Sequence, residues 1–376
     1  MRVVHLFRGF HDYIRELVNE ESEIADVHVI LSETDRAIAK EFSAGVHVHQ
    51  LPLPRVRSPF NILYLRRLRK LVSELNPDVL HLQSGLVWEY GVLARRRFSP
   101  VVLTVHDVVE HPSWGGWTSA PQFMSRVAVR TADAVIVHGQ FNRELLLKRH
   151  KEVLPGRVYS LNHGVISRYG EGRARRNVPP GSGNILFFGR IDKYKGLKYL
   201  LNAVQRLRPQ FPELSVVVAG AVKRPEYCEI LRKENPDISF RLGYQSRDMV
   251  ENLFRWADVL ALPYLEASQS GVLQIAVAFG LPVVATNVGA IPEAITDSMN
   301  GRLVPAGDSE SLAAAIADLL TDTETRGRII DTLRTQRNGK FSWSSIARKT
   351  MDIYREVINI HPIGSRVPGA EAGSWK

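Results

Sequence analysis

The chain has 376 residues, 44% of them hydrophobic, which is enough to bury two cores of ordinary size. Its single cysteine, Cys228, excludes an internal disulfide and a cysteine-rich metal site, and indicates a reducing compartment. The formal net charge of +10 is compatible with an anionic substrate, a membrane surface or nucleic acid.

The N-terminal residues do not read as a signal peptide. The first residues, MRVVHLFRGFHDY, become polar too early for a signal peptide. No apolar run reaches the ~18 residues that a membrane-spanning helix needs. We therefore expect a cytoplasmic protein.

Strands alternate with helices through residues 1–165, which we assign to a first domain. The predicted strands are RVVHLF, DVHVILSE, GVHVHQLPLP, DVLHLQ, PVVLTVHD and AVIVHG, and the helices between them include HDYIRELVNEES, FNILYLRRLRKLVSELN, a segment at about 87–97 and PQFMSRVAVRTA. This alternation predicts an α/β fold with a doubly wound parallel sheet.

Residues 166–183, rich in Gly, Pro and Arg, read as a linker without periodicity. A second alternation over 184–341 predicts a second domain of the same kind, which makes two Rossmann-like domains in tandem. Residues 342–376 are predicted to form a closing helix and a frayed tail.

The segment from Leu262 to Glu293 reads as strand, loop, helix, strand and glycine turn. Its helix, from about Ser270 to Phe279, presents unpaired N–H groups and the positive end of the dipole to a phosphate. Glu266 and Gln274 lie on either side of this helix start. We expect one to bind a sugar hydroxyl and the other a ribose hydroxyl.

A second group of candidate residues follows the strand NILFF, where Gly189 and Arg190 precede Lys195 and Gly196. Ligands bind at the carboxyl ends of strands in such sheets. Two cations there would neutralise the charge of a departing diphosphate. Taken alone, the pattern favours two solvated surface cations, which is the usual environment of such residues.

These stretches resemble the signature of the group 1, or family four, retaining glycosyltransferases of GT-B architecture. The second domain carries nearly all of the likeness, whereas the first resembles the family only in architecture and at His106. The matching positions are Glu266, Gly280, Pro282, Val283, Val284, Ala285, Gly289, Pro292 and Glu293, together with Gly189-Arg190 and Lys195-Gly196-Leu197. The sequence departs from the pattern at Gln274, where the family has a second Glu, and in its Ala-Ser-Gln-Ser-Gly loop.

The resemblance implies roles for these residues. Arg190 and Lys195 would be catalytic electrophiles, Glu266 would hold the sugar, and the donor would also contact Gly189, Ser270, Gly271, Val272 and Gln274. Gly220, Gly243 and Tyr244, at two other strand ends, would border the nucleobase. In the first domain, His106 would touch the transferred sugar.

Other first-domain assignments rest on less. We assign Asp107 and His81 to the acceptor side, although Asp107 also suits a helix cap and His81 a satisfied core histidine. Gly9 stands where the family has a mobile Gly-Gly loop.

No Asp-x-Asp occurs, and the sequence shows no clustered His or Cys ligands. We therefore expect neither a metal nor a cofactor at the diphosphate.

A basic stretch lies between Glu41 and Glu74, where six basic residues and no acid occur. Its cluster Arg66, Arg67, Arg69 and Lys70 lies on a predicted helix and would suit anionic lipid headgroups or simply solvent. Only Tyr64 accompanies it, which argues against nucleic acid.

The sequence as a whole predicts metal-independent, retaining transfer of a hexose from a nucleotide diphosphate sugar to a glycan or lipid-linked glycan acceptor in cell-surface polysaccharide synthesis. Two other enzymes of the same double fold are alternatives. An epimerase would need a further pair of acids in its cleft, and a glycan phosphorylase would need a lysine-bound pyridoxal cofactor. A non-catalytic nucleotide-sugar-binding protein remains the alternative from another class.

Overall fold

The computed structural model describes residues 1–7, 9–32, 38–52, 60–83, 99–108, 122–166 and 182–360, together with Glu89 and Tyr169. The chain forms two compact units. Unit 1 comprises Met1–Asn162 and Trp343–Lys376, and unit 2 comprises His163–Ser342. The predicted helix at 87–97, most of the linker and the tail after residue 360 lie outside the described residues.

Unit 1 is built on a seven-stranded sheet in the order β3-β2-β1-β4-β5-β6-β7. Every described strand pair in it is parallel. The strands are β1 Arg2–Leu6, β2 Asp26–Ser32, β3 Val46–Leu51, β4 Val79–Gln83, β5 Val101–Val105, β6 Ala134–His138 and β7 Val158–Leu161. The central strands are buried along their whole length, as expected for a parallel sheet covered on both faces.

The described helices of unit 1 are α1 His11–Ser22, α2 Asn61–Leu75, α3 Gln122–Thr131, α4 Gln140–Arg149 and, from the end of the chain, α12 Trp343–Ile360. The closing helix returns to the first sheet. It packs on α1 and buries Met351, Tyr354 and Val357 against Val3 and Val79.

Unit 2 contains a six-stranded sheet in the order β10-β9-β8-β11-β12-β13, again with parallel pairs. Its strands are β8 Ser182–Phe188, β9 Glu213–Gly220, β10 Ser239–Leu242, β11 Val259–Leu262, β12 Val283–Thr286 and β13 Arg302–Val304. Its helices are α5 Leu197–Leu207, α6 Pro225–Glu234, α7 Arg247–Trp256, α8 Gly271–Phe279, α9 Ile291–Ala294, α10 Ser309–Thr321 and α11 Thr323–Asn338. Two parallel sheets flanked by helices confirm the predicted α/β class.

The structure adds elements that the sequence interpretation omitted, namely α4 and β7 in unit 1 and β13, α10 and α11 in unit 2. It also begins β8 at Ser182, inside the segment read as linker. The charged sequence of α4 hides its weak amphipathic pattern, and β13 has only three residues, too few for periodicity to be recognised. Among the helices that the structure describes, none combines the length and apolar character needed to cross a bilayer.

Glycine at position 196 is required by both backbone conformation and space. Its φ is +67°, and a Cβ there would lie 1.8 Å from the carbonyl oxygen of Pro263. We expect Gly196→Ala to lower the free energy of unfolding by more than about 2 kcal/mol, measured by urea denaturation.

Gly307→Ala is the matched control for this substitution. Its φ of +79° is similar, but the nearest atoms to a Cβ are those of the Tyr199 ring, at an ordinary 3.7 Å. We expect only the left-handed strain of roughly 1–2 kcal/mol. Equal losses in the two variants would contradict a role for the contact with Pro263.

Candidate functional site

The order of the sheet in unit 2 reverses between β8 and β11, which pair with each other. From β8 the chain builds outwards to β9 and β10, and from β11 it builds the other way to β12 and β13. The loops that leave the two central strands therefore diverge, and a crevice for ligands arises at such a reversal. Residues 189–196 follow β8, and residues 263–270 follow β11.

Close backbone approaches fix these loops against each other. A Cβ at Gly220 would lie 1.9 Å from the carbonyl oxygen of Gly189, and one at Gly289 would lie 1.5 Å from that of Ala267. All these glycines have positive φ, so only glycine fits both the space and the conformation. The amide of Leu265 also donates to the carbonyl of Tyr194 at 2.8 Å, which ties the two loops together.

Helix α8 begins at the end of the β11 loop. Ser270 is 8% exposed. Its hydroxyl accepts a hydrogen bond from the amide of Leu273 at 3.3 Å and caps the helix. Gly271 and Val272 are the next two residues, and a Cβ at Gly189 would lie 3.2 Å from Val272. The amino end of α8 thus lies directly beside the end of β8, with its dipole favouring an anion.

Lys195 lies at this helix terminus. Its ammonium nitrogen is 3.6 Å from the centre of the Tyr264 ring and 5.0 Å from that of Tyr194. Tyr264 is fully buried, and its hydroxyl lies 3.5 Å from the Ser270 hydroxyl. A cation over an aromatic face is attracted by the ring quadrupole, so the two tyrosines hold the ammonium beside the start of α8.

Arg190 belongs to the same electrostatic neighbourhood. Burial raises the pKa of Tyr194, and the positive charges of Lys195 and Arg190 oppose that increase. Burial likewise raises the pKa of Tyr264 to about 12, so its hydroxyl stays neutral at physiological pH. The structure therefore brings Arg190, Lys195 and Ser270 together at one end of the sheet.

Asp192 organises the turn that carries Lys195, and sequence reasoning did not identify it. It is 4% exposed, caps the 3-10 turn Lys193–Lys195 by accepting from the Lys193 amide at 2.7 Å, and accepts from Arg224 Nε at 3.1 Å. An Asp just before a turn is a cap signal that can be recognised in a sequence. The hydrogen bond from Arg224 cannot be recognised in this way, because the two residues are 32 positions apart.

Gln274 is the most informative polar side chain of α8. It is 5% exposed, and among the described residues its Oε1 has no hydrogen-bond partner. A buried acceptor without a donor costs roughly 1–3 kcal/mol, so this atom is a candidate to accept from a bound ligand or an ordered water. Glu266, in contrast, is exposed at the rim of the loop.

The predicted nucleobase residues lie at the ends of β9 and β10. Gly243 donates its amide to the Gly220 carbonyl at 2.9 Å, with a φ of +104°. Tyr244, which follows it, is 92% exposed and offers an open aromatic face.

In unit 1 the predicted residue His106 belongs to a buried polar network. The hydrogen-bonded pairs, in order, are His5 with Glu21 (2.6 Å), Glu21 with Tyr354 (3.0 Å), Tyr354 with His81 (2.6 Å), His81 with Gln83 (3.3 Å), Gln83 with His106 (2.8 Å) and His106 with His138 (3.2 Å). All of these side chains are 2% exposed or less. Buried hydrogen bonds of this kind restrict the arrangement of the core.

Phe10 covers His106. The two rings are parallel within 12°, with centroids 3.7 Å apart, and His106 is 1% exposed. Phe10 has φ 55° and follows Gly9 at φ 75°, and a bulky side chain seldom adopts this conformation. A sugar contact by His106 therefore requires Phe10 to move.

The other residues assigned to the acceptor side are His81, Asp107 and Gly9. His81 is fully buried, with Tyr354 on Nδ1 at 2.6 Å and Thr104 on Nε2 at 2.7 Å, which favours a satisfied core histidine over an acceptor contact. Asp107 is half-buried and Gly9 exposed, and neither is brought next to His81 by a described contact.

The structure gathers a group of possible metal ligands that the sequence does not reveal. The sequence shows no clustered histidines, yet Asp26, His28 and His47 place ligand atoms within 4.8 Å of one another. They come from two different strands, so only the sheet register brings them together. This group belongs to unit 1 and is separate from the residues assigned to the diphosphate.

Two family models match the chain. Residues 182–322 match the model described as glycosyl transferases group 1, and residues 8–158 match the glycosyl transferase 4-like domain. A D-inositol 3-phosphate glycosyltransferase from Saccharomonospora viridis is 30% identical, with 93% of this chain and 89% of the relative aligned. A phosphatidyl-myo-inositol mannosyltransferase from Mycolicibacterium smegmatis is 25% identical over 78% of this chain and 74% of its own length.

Solved structures share the fold. HepE from Anabaena, crystallised in complex with UDP, superposes with a TM-score of 0.72 at 17% identity, covering 95% of this chain and all of its own. A glycosyltransferase from Rickettsia africae gives 0.74 at 17% identity, with 95% and 98% coverage. These likenesses confirm the predicted GT-B architecture.

The buried network makes stability depend on pH. Burial, reinforced by His5, holds the pKa of His81 well below its ordinary 6.5. Below about pH 6.5, His81 therefore binds a proton in the unfolded chain but stays neutral in the folded chain. Folding stability consequently falls as pH falls. We expect the thermal unfolding midpoint to drop between about pH 7 and pH 5, measured by circular dichroism.

A His81→Gln variant isolates this contribution. It lowers stability at every pH because Tyr354 and Thr104 lose a partner, but its midpoint declines less steeply with acid than the parent's. An identical slope in both proteins would remove His81 from the explanation.

Proposed function

Because the chain belongs to the group 1 glycosyltransferases of GT-B fold, we propose that it moves a hexose from a nucleotide diphosphate sugar to a glycan or lipid-linked glycan. The proposal includes retention of anomeric configuration and a role in cell-surface polysaccharide synthesis. The observation that carries it is the Lys195 ammonium, held over Tyr264 beside the Ser270 cap of α8.

The diphosphate is assigned to the amino end of α8. Amides at a helix start and the helix dipole favour an anion, and Arg190 and Lys195 add two full charges close by. These groups are in place before the reaction, so they stabilise the negative charge that grows on the departing diphosphate without reorganisation. No metal is needed in this account.

We assign the ribose, the sugar and the base of the donor from the chemistry of three other side chains. The Gln274 amide oxygen, which lacks a hydrogen-bond donor among the described residues, suits a ribose hydroxyl. Glu266 suits the hydroxyls of the sugar, and the open ring of Tyr244 suits stacking on a base beside Gly220 and Gly243. The UDP complex of Anabaena HepE, a protein of the same fold, is consistent with this assignment.

The proposed reaction is attack by an acceptor hydroxyl on the anomeric carbon, on the face from which the diphosphate departs. The new glycosidic bond forms as the carbon–oxygen bond to phosphate breaks, and an oxygen of the departing diphosphate takes the hydroxyl proton. In this mechanism Arg190 and Lys195 stabilise the leaving group. His106 contacts the sugar once Phe10 has left its ring face.

Replacing Lys195 by alanine tests the charge assigned to it. We expect turnover of a nucleotide diphosphate hexose to fall at least ~100-fold, comparable to deleting one preorganised electrostatic group. The measurement is the initial rate of nucleoside diphosphate release at saturating donor, over a panel of UDP-, GDP- and ADP-hexoses and glycan or inositol phosphate acceptors.

Lys193→Ala is the matched control, because Lys193 lies in the same turn but is exposed and 6.0 Å from the Tyr227 ring. It should keep turnover within about two-fold, within the range expected for a surface substitution. Near-parental turnover of Lys195→Ala would exclude Lys195 from the mechanism.

We further propose that α2 contacts an anionic membrane at the inner face of the cell membrane. Arg66, Arg67, Arg69 and Lys70 are all exposed on it. Three apolar residues at the start of the helix are also exposed, Phe60 by 69%, Ile62 by 65% and Leu63 by 47%. Basic groups beside exposed apolar side chains suit a headgroup region, and the name of the mannosyltransferase relative includes a lipid acceptor.

Charge reversal tests the lipid contact. The parent chain should sediment with vesicles containing phosphatidylglycerol and stay in solution with pure phosphatidylcholine. Arg66→Glu/Arg67→Glu should weaken anionic binding by at least ~10-fold, since each basic residue near the surface contributes about 1 kcal/mol. Lys148→Glu/Arg149→Glu on α4 is the control and should bind like the parent; equal binding by all three proteins would exclude α2.

A further inference from the structure

Unit 1 carries a second group of chemically capable side chains, near the amino ends of its strands and away from His106. Asp26 and His28 lie on β2, and His47 and His49 lie on β3. The parallel register pairs His28 with His47 and Ile30 with His49. Because alternate residues of a strand share a face, all four side chains lie on the same face of the sheet.

Two of the distances among these groups are close to those of a metal site. Asp26 Oδ1 lies 3.1 Å from His28 Nε2 and 3.6 Å from His47 Nε2, and the three ligand atoms are all within 4.8 Å of one another. Ligand atoms in a tetrahedral zinc site, with bonds of about 2.0–2.1 Å, are separated by roughly 3.4 Å. Both measured distances lie close to that separation.

The hydrogen bonding of His28 points the same way. The residue is 8% exposed, and its Nδ1 lies 2.9 Å from His49 Nε2. Its Nε2 lies near Asp26 but outside hydrogen-bond geometry, and has no hydrogen-bond partner among the described residues. A proton on Nδ1 of His28 can be donated to Nε2 of His49. The Nε2 atom of His28 then carries a lone pair that faces the carboxylate oxygen of Asp26, and a cation between these two atoms would stabilise the arrangement.

The surroundings hold the ligands in orientation. Arg2 Nε donates to Asp26 Oδ2 at 2.7 Å, which leaves Oδ1 directed at the histidines. The rings of His28 and His47 are stacked with centroids 4.7 Å apart, and those of His28 and His49 with centroids 5.2 Å apart. Ligand histidines in metal sites are oriented by such outer partners on their second nitrogen.

We propose that Asp26, His28 and His47 bind a divalent cation of the zinc class, with His49 as a positioning residue for the His28 ring. Two imidazoles and a carboxylate suit Zn²⁺, and Ni²⁺ and Cu²⁺ are accepted by the same donor set. The His47 side chain is 61% exposed, so the site opens to solvent and a water completes the coordination. The bound cation joins the edge strand β3 to β2 and is independent of the glycosyltransferase reaction.

The test is calorimetric titration of ZnCl₂ into the full chain, freed of any affinity tag and treated with chelator. We expect saturable binding of one Zn²⁺ per chain, accompanied by an increase in the unfolding midpoint. His47→Ala should weaken binding by at least ~100-fold and His49→Ala by about 10-fold, since loss of an outer partner costs less than loss of a ligand.

His150→Ala is the matched control, because it removes a histidine that faces one carboxylate, Glu152, at 3.6 Å. It should bind Zn²⁺ like the parent. His47 is exposed on an edge strand, so its replacement should leave the circular dichroism spectrum unchanged. Absence of saturable binding by the parent, or parental affinity in both His47→Ala and His28→Ala, would overturn the proposal.

Discussion

The contact between the Lys195 ammonium and the buried ring of Tyr264 places the charge on which the site of unit 2 depends. Tyr264 is fixed from several sides: Thr286 donates to its carbonyl at 2.6 Å, and its hydroxyl lies near the Ser270 cap. A flexible lysine loses considerable side-chain entropy when ordered. The aromatic face stabilises the ordered position, so the protein holds the cation in place rather than recruiting it from solvent.

The close glycine contacts extend this constraint to the backbone. Gly196 packs on Pro263, Gly220 on Gly189 and Gly289 on Ala267. These approaches bring the chain after β8, β9, β11 and β12 into pairwise backbone contact. An oxygen-rich anion bound there would meet amides and cations that are already oriented, which is the usual basis of strong electrostatic stabilisation.

Unit 1 uses buried polar groups in another way. Its network runs from Glu21 through Tyr354 and His81 to His106, linking helices α1 and α12 to the centre of the sheet. Burial raises the pKa of Tyr354 well above its usual value, so its hydroxyl remains a donor. Because these groups hydrogen-bond to one another, loss of one leaves a neighbour without that partner, and the closing helix is thereby anchored to the first sheet.

The sequence by itself determined the alternation of strands and helices, because fully buried parallel strands and amphipathic helices have distinct apolar patterns. It also predicted the start of α8 and placed Arg190 and Lys195 after the end of a strand, where ligands bind in such sheets. Among the elements it omitted, α4 has a weak pattern and β13 is too short.

Only the tertiary structure decided which distant groups meet. Tyr264 beneath Lys195, Arg224 on Asp192 and Phe10 over His106 are contacts that no local pattern encodes. The register of β2 and β3 likewise gathers Asp26, His28 and His47, which are unremarkable along the chain. The physical reason is that spacing governs neighbours on one element, whereas strand order and packing govern neighbours from different elements.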